Sequence, residues 1–423
     1  MTTAVMVRRA GPGRAARRRD RADVTLAVMS ANHTNGIPWR EAFAKAATVA
    51  APLPIETVAL REAAGRVLAG PVHSRTDLPG FDTAAMDGYA VCGSGPWQVT
   101  GRLLAGAPPW AAPLTPGQAV EIMTGAVVPA TATAVIPYEE VVVDGSTVSG
   151  VAGRRRHIRR AGEDARRGDP LVPAGRRLTP AVCGLLAQGG VDVVPVHAVP
   201  RVRLLVTGDE IVPSGVPGAG SVRDVFGPMI TALTATAGGS VTDHRIVRDD
   251  PRLLAEAIAA TDTEIVAVSG SSSAGRADHL RDVLDGAGAR MVVDQVACRP
   301  GHPQVLAALA GGRWLVGLPG NPFAGLVAAV TLLRPLLSAM SGALPVTTAA
   351  AGLLRLPVLG DVRVTSGITR LVPVVTRGDH AMVVPGSRPA SLAGAAAADA
   401  LAVLEDGWVG GAAADLLSLR GWS

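Results

Sequence analysis

Four short loops between Thr207 and Pro322 constrain this chain most, because each follows a run that reads as a β-strand. Thr207, Gly208, Asp209 and Glu210 follow VRLLV, and the SGSSSAG loop, residues 269–275, follows EIVAV. Arg299, Pro300, Gly301, His302 and Pro303 follow MVVDQVAC, and Leu318, Pro319, Gly320, Asn321 and Pro322 follow RWLVG. Strands are expected at Val202–Val206, Val241–Val247, Glu264–Val268, Arg290–Ala297 and Arg313–Leu318. Helix-prone stretches separate them at Gly227–Ala237, Arg252–Ala260, Ala277–Gly286 and Pro322–Met340. Such alternation predicts a mainly parallel α/β sheet covered on both faces. Ligands of open α/β sheets lie beyond the carboxyl ends of the strands, so the four loops predict one site assembled from several turns.

The flanking sequence reads differently. Trp39 onward is a helix-forming run opened by Pro38, and Glu56–Val67 reads as a second helix. Short β-type runs broken by Gly and Pro fill Val72–Val151, which suggests a small β-rich domain. Gly153–Gly168 is a charged connector, and Leu178–Gln188 is helical up to Gly189 and Gly190. After Met340 short β runs return at Arg370–Thr376 and Ala381–Val384, with Ser391–Leu404 Ala-rich and helix-prone. The organisation expected is a disordered basic tail (1–35), a discontinuous linker domain (36–70 and 152–190) and a small β-rich domain (71–151). A central α/β domain (191–342) and a C-terminal β-barrel-like domain (343–423) follow. The fold class is thus multidomain α/β plus β.

Charge and composition exclude several functions. The net charge of +5 is carried entirely by residues 1–23, where seven arginines face Asp20 and Asp23. Nucleic-acid binding needs a basic face on the fold itself, so none is expected; Met29 is an alternative start that would remove the tail. Lys45 is the only lysine, which excludes a Walker-type phosphate loop and Schiff-base chemistry. Cys92, Cys183 and Cys298 form no CxxC pair, consistent with a reducing cytoplasm. No apolar run reaches the ~18 residues of a membrane span; Phe323–Met340 comes nearest and contains Arg334 and Pro335.

Carboxylates cluster at the expected strand ends: Asp209 and Glu210, Asp249 and Asp250, and Asp278 in a first helical turn. Each alone has a structural explanation; Asp250 before Pro251 is a candidate helix N-cap. Together they favour a hard cation such as Mg²⁺ that bridges phosphate oxygens. The loop containing Gly270, Ser271, Ser272, Ser273 and Gly275 offers amides and hydroxyls to an anion. Arg299 and His302 add a cation and an imidazole, and Pro319 and Pro322 form a rigid wall. Asp87 with Gly88 and Thr124 with Gly125 lie at turns of the β-rich tract. The arginines beside Glu163 and Asp164 are either an anion site or a solvated face.

Several motifs in one order resemble the molybdopterin molybdenumtransferases, the MoeA group that includes the E domain of gephyrin. They are AMDGYAV (85–91), VEIMTGA (120–126), RAGED (160–164), TGDE (207–210), IVRDD (246–250), RPGHP (299–303) and GLPGNP (317–322). The resemblance covers about Pro38 to the C-terminus. It implies an elongated homodimer of four-domain subunits whose α/β domain is similar to molybdopterin adenylyltransferase. It also implies Mg²⁺-dependent hydrolysis of adenylyl-molybdopterin with molybdate insertion and AMP release, alongside molybdopterin adenylyltransferase and acceptor molybdoenzymes as partners. Carried over by position, Asp249 and Asp278 act with the metal, supported by Glu210, while Asp87, Thr124 and Asp164 line the molybdate side. Pro319 and Pro322 shape the pocket, and Arg370 and Ser387 approach it. The chain departs from the pattern at Gly270–Gly275, at Asp224-Val225-Phe226, and at Arg299 and His302, where the family has lysines. A second reading is therefore a catalytically weak paralogue that binds the pterin nucleotide as carrier or scaffold.

Overall fold

The computed structural model describes residues 36–260, 262–270, 279–343 and 353–420. The basic tail and the site residues Ser271, Ser272, Ser273, Gly275 and Asp278 lie outside the described residues. The chain forms two compact units, Met1–Leu53 with Val199–Ser423, and Pro54–Ala198.

In chain order, helix α1 (Trp39–Thr48) belongs to the first unit. Its Trp39, Ala42, Phe43 and Ala46 join the core of the α/β sheet, and the Trp39 indole donates to Thr331 Oγ1 at 3.0 Å. A buried tryptophan with a paired N–H is anchored by both packing and a hydrogen bond.

The second unit begins with β1 (Ile55–Ala59), where a helix over Glu56–Val67 was expected. Its five residues pair antiparallel with β8 (Val193–His197). Three β-branched residues, Ile55, Thr57 and Val58, follow Pro54, and cross-strand pairing prevails over the helix-forming Glu, Ala and Leu residues. Between these strands lie β2 (Gly88–Val91), β3 (Trp97–Leu103), β4 (Gln118–Ile122), β5 (Ala134–Pro137), β6 (Val141–Asp144) and β7 (Thr147–Gly150). They form one six-stranded sheet in the order β5-β2-β4-β3-β7-β6. Gly88 permits the close β2–β5 approach, since a Cβ there would lie 2.0 Å from Ile136 O. The connector is no free chain: Ile158–Arg159 pairs with Thr83–Ala84. Helix α2 (Pro180–Gln188) is capped by Thr179, whose hydroxyl accepts from Val182 N.

The first unit resumes with β9 (Arg201–Thr207), α3 (Phe226–Thr236), β10 (Ser240–Val247), α4 (Pro251–Ala259), β11 (Ile265–Ser269) and α5 (His279–Gly286). Then follow β12 (Arg290–Asp294), β13 (Val296–Arg299), β14 (Val305–Ala308), β15 (Trp314–Leu318) and the helical stretch α6 (Pro322–Met340). The sheet order is β10-β9-β11-β15-β14-β12, parallel across its first four strands and antiparallel at the last two. The single strand expected over Arg290–Ala297 is two, because Gln295 sits at φ +67° and turns the chain out of the sheet. Strand β13 then pairs with Ile37–Pro38 and with the C-terminal sheet.

By length and composition α6 would cross a membrane, yet 89% of its apolar window is buried inside the fold. Its centre, Ala329–Leu333, is a π-turn. Pro335 lacks an N–H and its ring crowds the preceding turn, and a widened turn accommodates both.

The C-terminal strands are β16 (Leu354–Leu359), β17 (Thr369–Arg377), β18 (His380–Val383), β19 (Ala400–Leu404) and β20 (Ala413–Ser418). They run β17-β18-β16-β20-β19, and β19 pairs back to β17, closing a barrel. Helix is confined to Ala393–Ala396 in the Ala-rich segment, whereas β19 is a wholly buried strand. Pairing on both sides with β17 and β20 overrides alanine's helix preference.

Candidate functional site

Described residues of three of the four loops, Thr207, Gly270 and Leu318 with Gly320, meet at the carboxyl ends of β9, β11 and β15, whereas Arg299 of the fourth pairs with the C-terminal barrel. Thr207 Oγ1 donates to Ser269 O at 2.9 Å, tying the end of β9 to that of β11. Gly270, at φ +100°, lies so close that a Cβ would sit 2.6 Å from Thr207 Oγ1 and 2.7 Å from Thr207 O. Its N–H donates to Leu318 O at 3.2 Å, and Gly320 backs onto its Cα. Glycine is required there by both conformation and space.

Around this seam stand the carboxylates. Gly208, at φ +146°, lets Glu210 fold back, since a Cβ would meet Glu210 Oε2 at 2.7 Å. Asp249 is held above the usual carboxylate range, first by partial burial and then by the charges of Glu210 and Asp209; His279 and the Asp209 N–H oppose the shift. Asp209 accepts from Arg248 Nε at 3.1 Å. Asp250 is a helix cap, accepting from Arg252 N at 2.7 Å and Leu253 N at 3.4 Å, and so is not a metal ligand candidate. Among the described residues no three His, Cys, Asp or Glu side chains are grouped to hold a metal. Asp278, the third member of the expected set, lies outside them. The residues present fit a cation nonetheless: the charges of Glu210 and Asp209 raise the proton affinity of Asp249, and a divalent ion among them would relieve that repulsion.

Pro319 and Pro322 flank the turn into α6, with Pro322 in its first turn. At the Asp224-Val225-Phe226 departure the chain packs an aromatic ring. The Phe226 ring is buried against Gly325, where an added Cβ would lie 2.3 Å from its Cε1 and 2.9 Å from Pro319 O. Asp224 is buried beside it, accepting from Phe226 N at 2.9 Å and Gly227 N at 3.0 Å, with His244 Nε2 at 3.1 Å.

Arg299, Arg370 and Ser387 line one cavity of about 620 Å³ on the barrel. Arg299 and Arg370 are register partners on β13 and β17, and Arg370 is held below its ordinary value by burial and then by the charge of Arg299. His302 does not line this cavity; its Nδ1 is 2.8 Å from Val296 O. The ring of His302 thus contacts its own strand, β13. Two lining residues, Asp361 and Arg363, were missed by sequence reasoning, because nothing local distinguishes GDVR from any charged turn.

In the second unit, Thr124 donates twice to Asp87 Oδ1, from its N–H at 2.6 Å and its hydroxyl at 2.7 Å. Those bonds hold Asp87 below the usual carboxylate range. Asp164 is paired with Arg159, and Arg160 with Asp82, so these members of the arginine run are neutralised in place.

Comparison with known proteins agrees with this layout. Residues 37–190 match the family description "MoeA N-terminal region (domain I and II)", and residues 203–339 match "Probable molybdopterin binding domain". The chain is 35% identical over 307 residues to the molybdopterin molybdenumtransferase of Haemophilus influenzae, covering 69% of this chain and 74% of that one. It is 35% identical over 299 residues to molybdopterin molybdenumtransferase 2 of Mycobacterium tuberculosis, covering 66% and 73%. The crystal structure of the molybdopterin biosynthesis MoeA protein from Pyrococcus horikoshii superposes with TM-score 0.69 at 26% identity, over 92% of this chain and all of that one. A second from the same organism gives TM-score 0.73 at 22% identity, over 90% and 99%, and speaks to the fold.

Proposed function

The chain belongs to the molybdopterin molybdenumtransferase family, and from that premise we propose that it inserts molybdate into adenylyl-molybdopterin with release of AMP. It is a transferase of molybdenum cofactor biosynthesis. The finer reading is a Mg²⁺-dependent reaction, carried out in the cytoplasm by a homodimer, with a molybdopterin adenylyltransferase supplying the substrate and molybdoenzymes accepting the product.

The observation that carries it is the carboxylate group at the strand ends. Asp249 and Glu210, with Asp278, would hold the ion. Held by these carboxylates, a magnesium ion would supply positive charge to phosphate oxygens of the pterin phosphate–AMP anhydride. The seam at Thr207, Gly270 and Leu318 keeps these loops in fixed register, so the carboxylates need no rearrangement when substrate arrives. Water adds to the pterin-side phosphorus, the bond from that phosphorus to the bridging oxygen breaks, and AMP leaves with the bridging oxygen while the water's protons pass to the released phosphates and solvent. Arg299, Arg370 and Ser387 present donors to an oxyanion, which fits molybdate. Asp87, fixed by Thr124, and Asp164 are assigned to the molybdate side as the family pattern implies.

Purified protein incubated with adenylyl-molybdopterin, Mg²⁺ and molybdate should release AMP, and Asp249→Ala should stop it. The orientation of His302 toward its own strand favours the second reading, a weak paralogue acting as carrier or scaffold. Nucleotide binding without AMP release would establish that reading and refute the first.

A further inference from the structure

The cavity on the barrel contains more positive charge than Arg299 and Arg370 alone bring to it. Arg299, Arg363 and Arg370 all line it, and Asp361 is the one carboxylate among its lining residues. Among the described residues none of the three guanidiniums forms an ion pair with a carboxylate, although several other arginines of this unit do. Arg370 Nε is buried and has no hydrogen-bond partner. A buried donor without a partner, beside two further cations, is a costly arrangement unless an anion satisfies it. The lining also supplies the hydroxyls of Thr365 and Ser387. Such a set suits a compact tetrahedral oxyanion of charge −2.

Two of the three arginines are placed by the sheet, as register partners on β13 and β17. Arg363 arrives by another route. It sits in the segment between β16 and β17, two residues after Asp361, and its side chain is exposed. The imidazole of His302 has its Nδ1 at Val296 O and is not among the lining residues of this cavity.

We infer that Arg363 is a third anion-binding residue of this cavity, closing on the oxyanion together with Arg299 and Arg370 and standing in for a second cation from the 299–303 loop, which lines the cavity with Arg299. Asp361 opposes it, so that affinity is set by the balance of the two. This rests on the oxyanion being the molybdate of the proposed function.

The test is calorimetric titration of the full-length protein with sodium molybdate alone at low ionic strength, repeated with sodium sulfate and with sodium phosphate. Arg363→Ala is expected to weaken molybdate binding by about ten- to a hundredfold, the range of a lost charge-assisted contact. Arg363→Lys should recover part of it, because charge survives and the planar fork does not. Asp361→Asn should tighten binding, a response that a merely structural role for the segment would not produce. Arg377→Ala, at the far end of β17, is the control and should leave affinity unchanged. If the wild type binds molybdate and Arg363→Ala binds it equally well, the inference is overturned and the proposed function stands. If sulfate or phosphate binds with the same Arg363 dependence and molybdate does not, the residue assignment holds and the proposed substrate fails. No binding of any oxyanion to the wild type overturns both.

Discussion

Replacing Gly270 by alanine tests whether the seam between the strand-end loops is as tight as its geometry demands. Two separate costs follow. At φ +100° an alanine occupies a region that L-residues avoid, at about 1–3 kcal/mol. Its Cβ would also lie 2.6 Å from Thr207 Oγ1 and 2.7 Å from Thr207 O. The carbonyl belongs to the end of β9, so no side-chain rotation relieves that contact and the chain itself must move. Overpacking of this kind costs about 1–3 kcal/mol, which brings the expected loss to about 2–6 kcal/mol. Gly312→Ala separates the two contributions, since Gly312 has φ +75° and an added Cβ there would meet nothing within 4 Å; it should lose only the conformational part. Both variants would be followed by equilibrium urea unfolding, comparing midpoints at equal slope. AMP release by Gly270→Ala should fall as well, because displacement of Thr207 moves Glu210 away from Asp249. A Gly270→Ala variant no less stable than Gly312→Ala would refute the close approach and the rigid seam with it.

Adjacent aspartates should separate by role: Asp250→Ala is expected to lose about 1 kcal/mol of stability, the worth of an N-cap, and to retain AMP release. Asp249→Asn should abolish release yet unfold at higher urea than wild type, since a carboxylate whose folded pKa is raised disfavours the folded state once ionised. Gly325→Ala should be destabilising beside Phe226 and less so in a Phe226→Ala background, where only the 2.9 Å approach to Pro319 O remains, and a double-mutant cycle would read the difference as coupling. On the barrel, Thr376 donates to Asp399 from its N–H and its hydroxyl, each at 2.9 Å, and these bonds, with Arg420, hold Asp399 below the usual range. Its folded pKa is depressed, so its contribution is full above the unfolded value of about 3.9 and is lost as pH falls toward the folded one. The stability gap between wild type and Asp399→Asn should therefore be constant near neutrality and narrow below about pH 4.

Local chemistry was enough for the α/β alternation, because a buried parallel strand, a Gly- or Pro-rich loop and an amphipathic helix each carry their own pattern. It also sufficed for the cap at Asp250 and for the four loops, whose glycines at 208, 270 and 301 all adopt positive φ. Tertiary pairing decided the rest. Ile55–Ala59 and Ala400–Leu404 are strands only because β8, β17 and β20 lie beside them. Gln295 divides one apolar run between two sheets, a choice that no window of neighbouring residues records. Arg363 illustrates the same limit at the site, since it lines one cavity with Arg299 and Arg370 from 64 and 7 residues away in the chain respectively. Convergence of charge from segments remote in sequence is a property of the closed barrel and of β13 joined to it, and it exists only once both have formed.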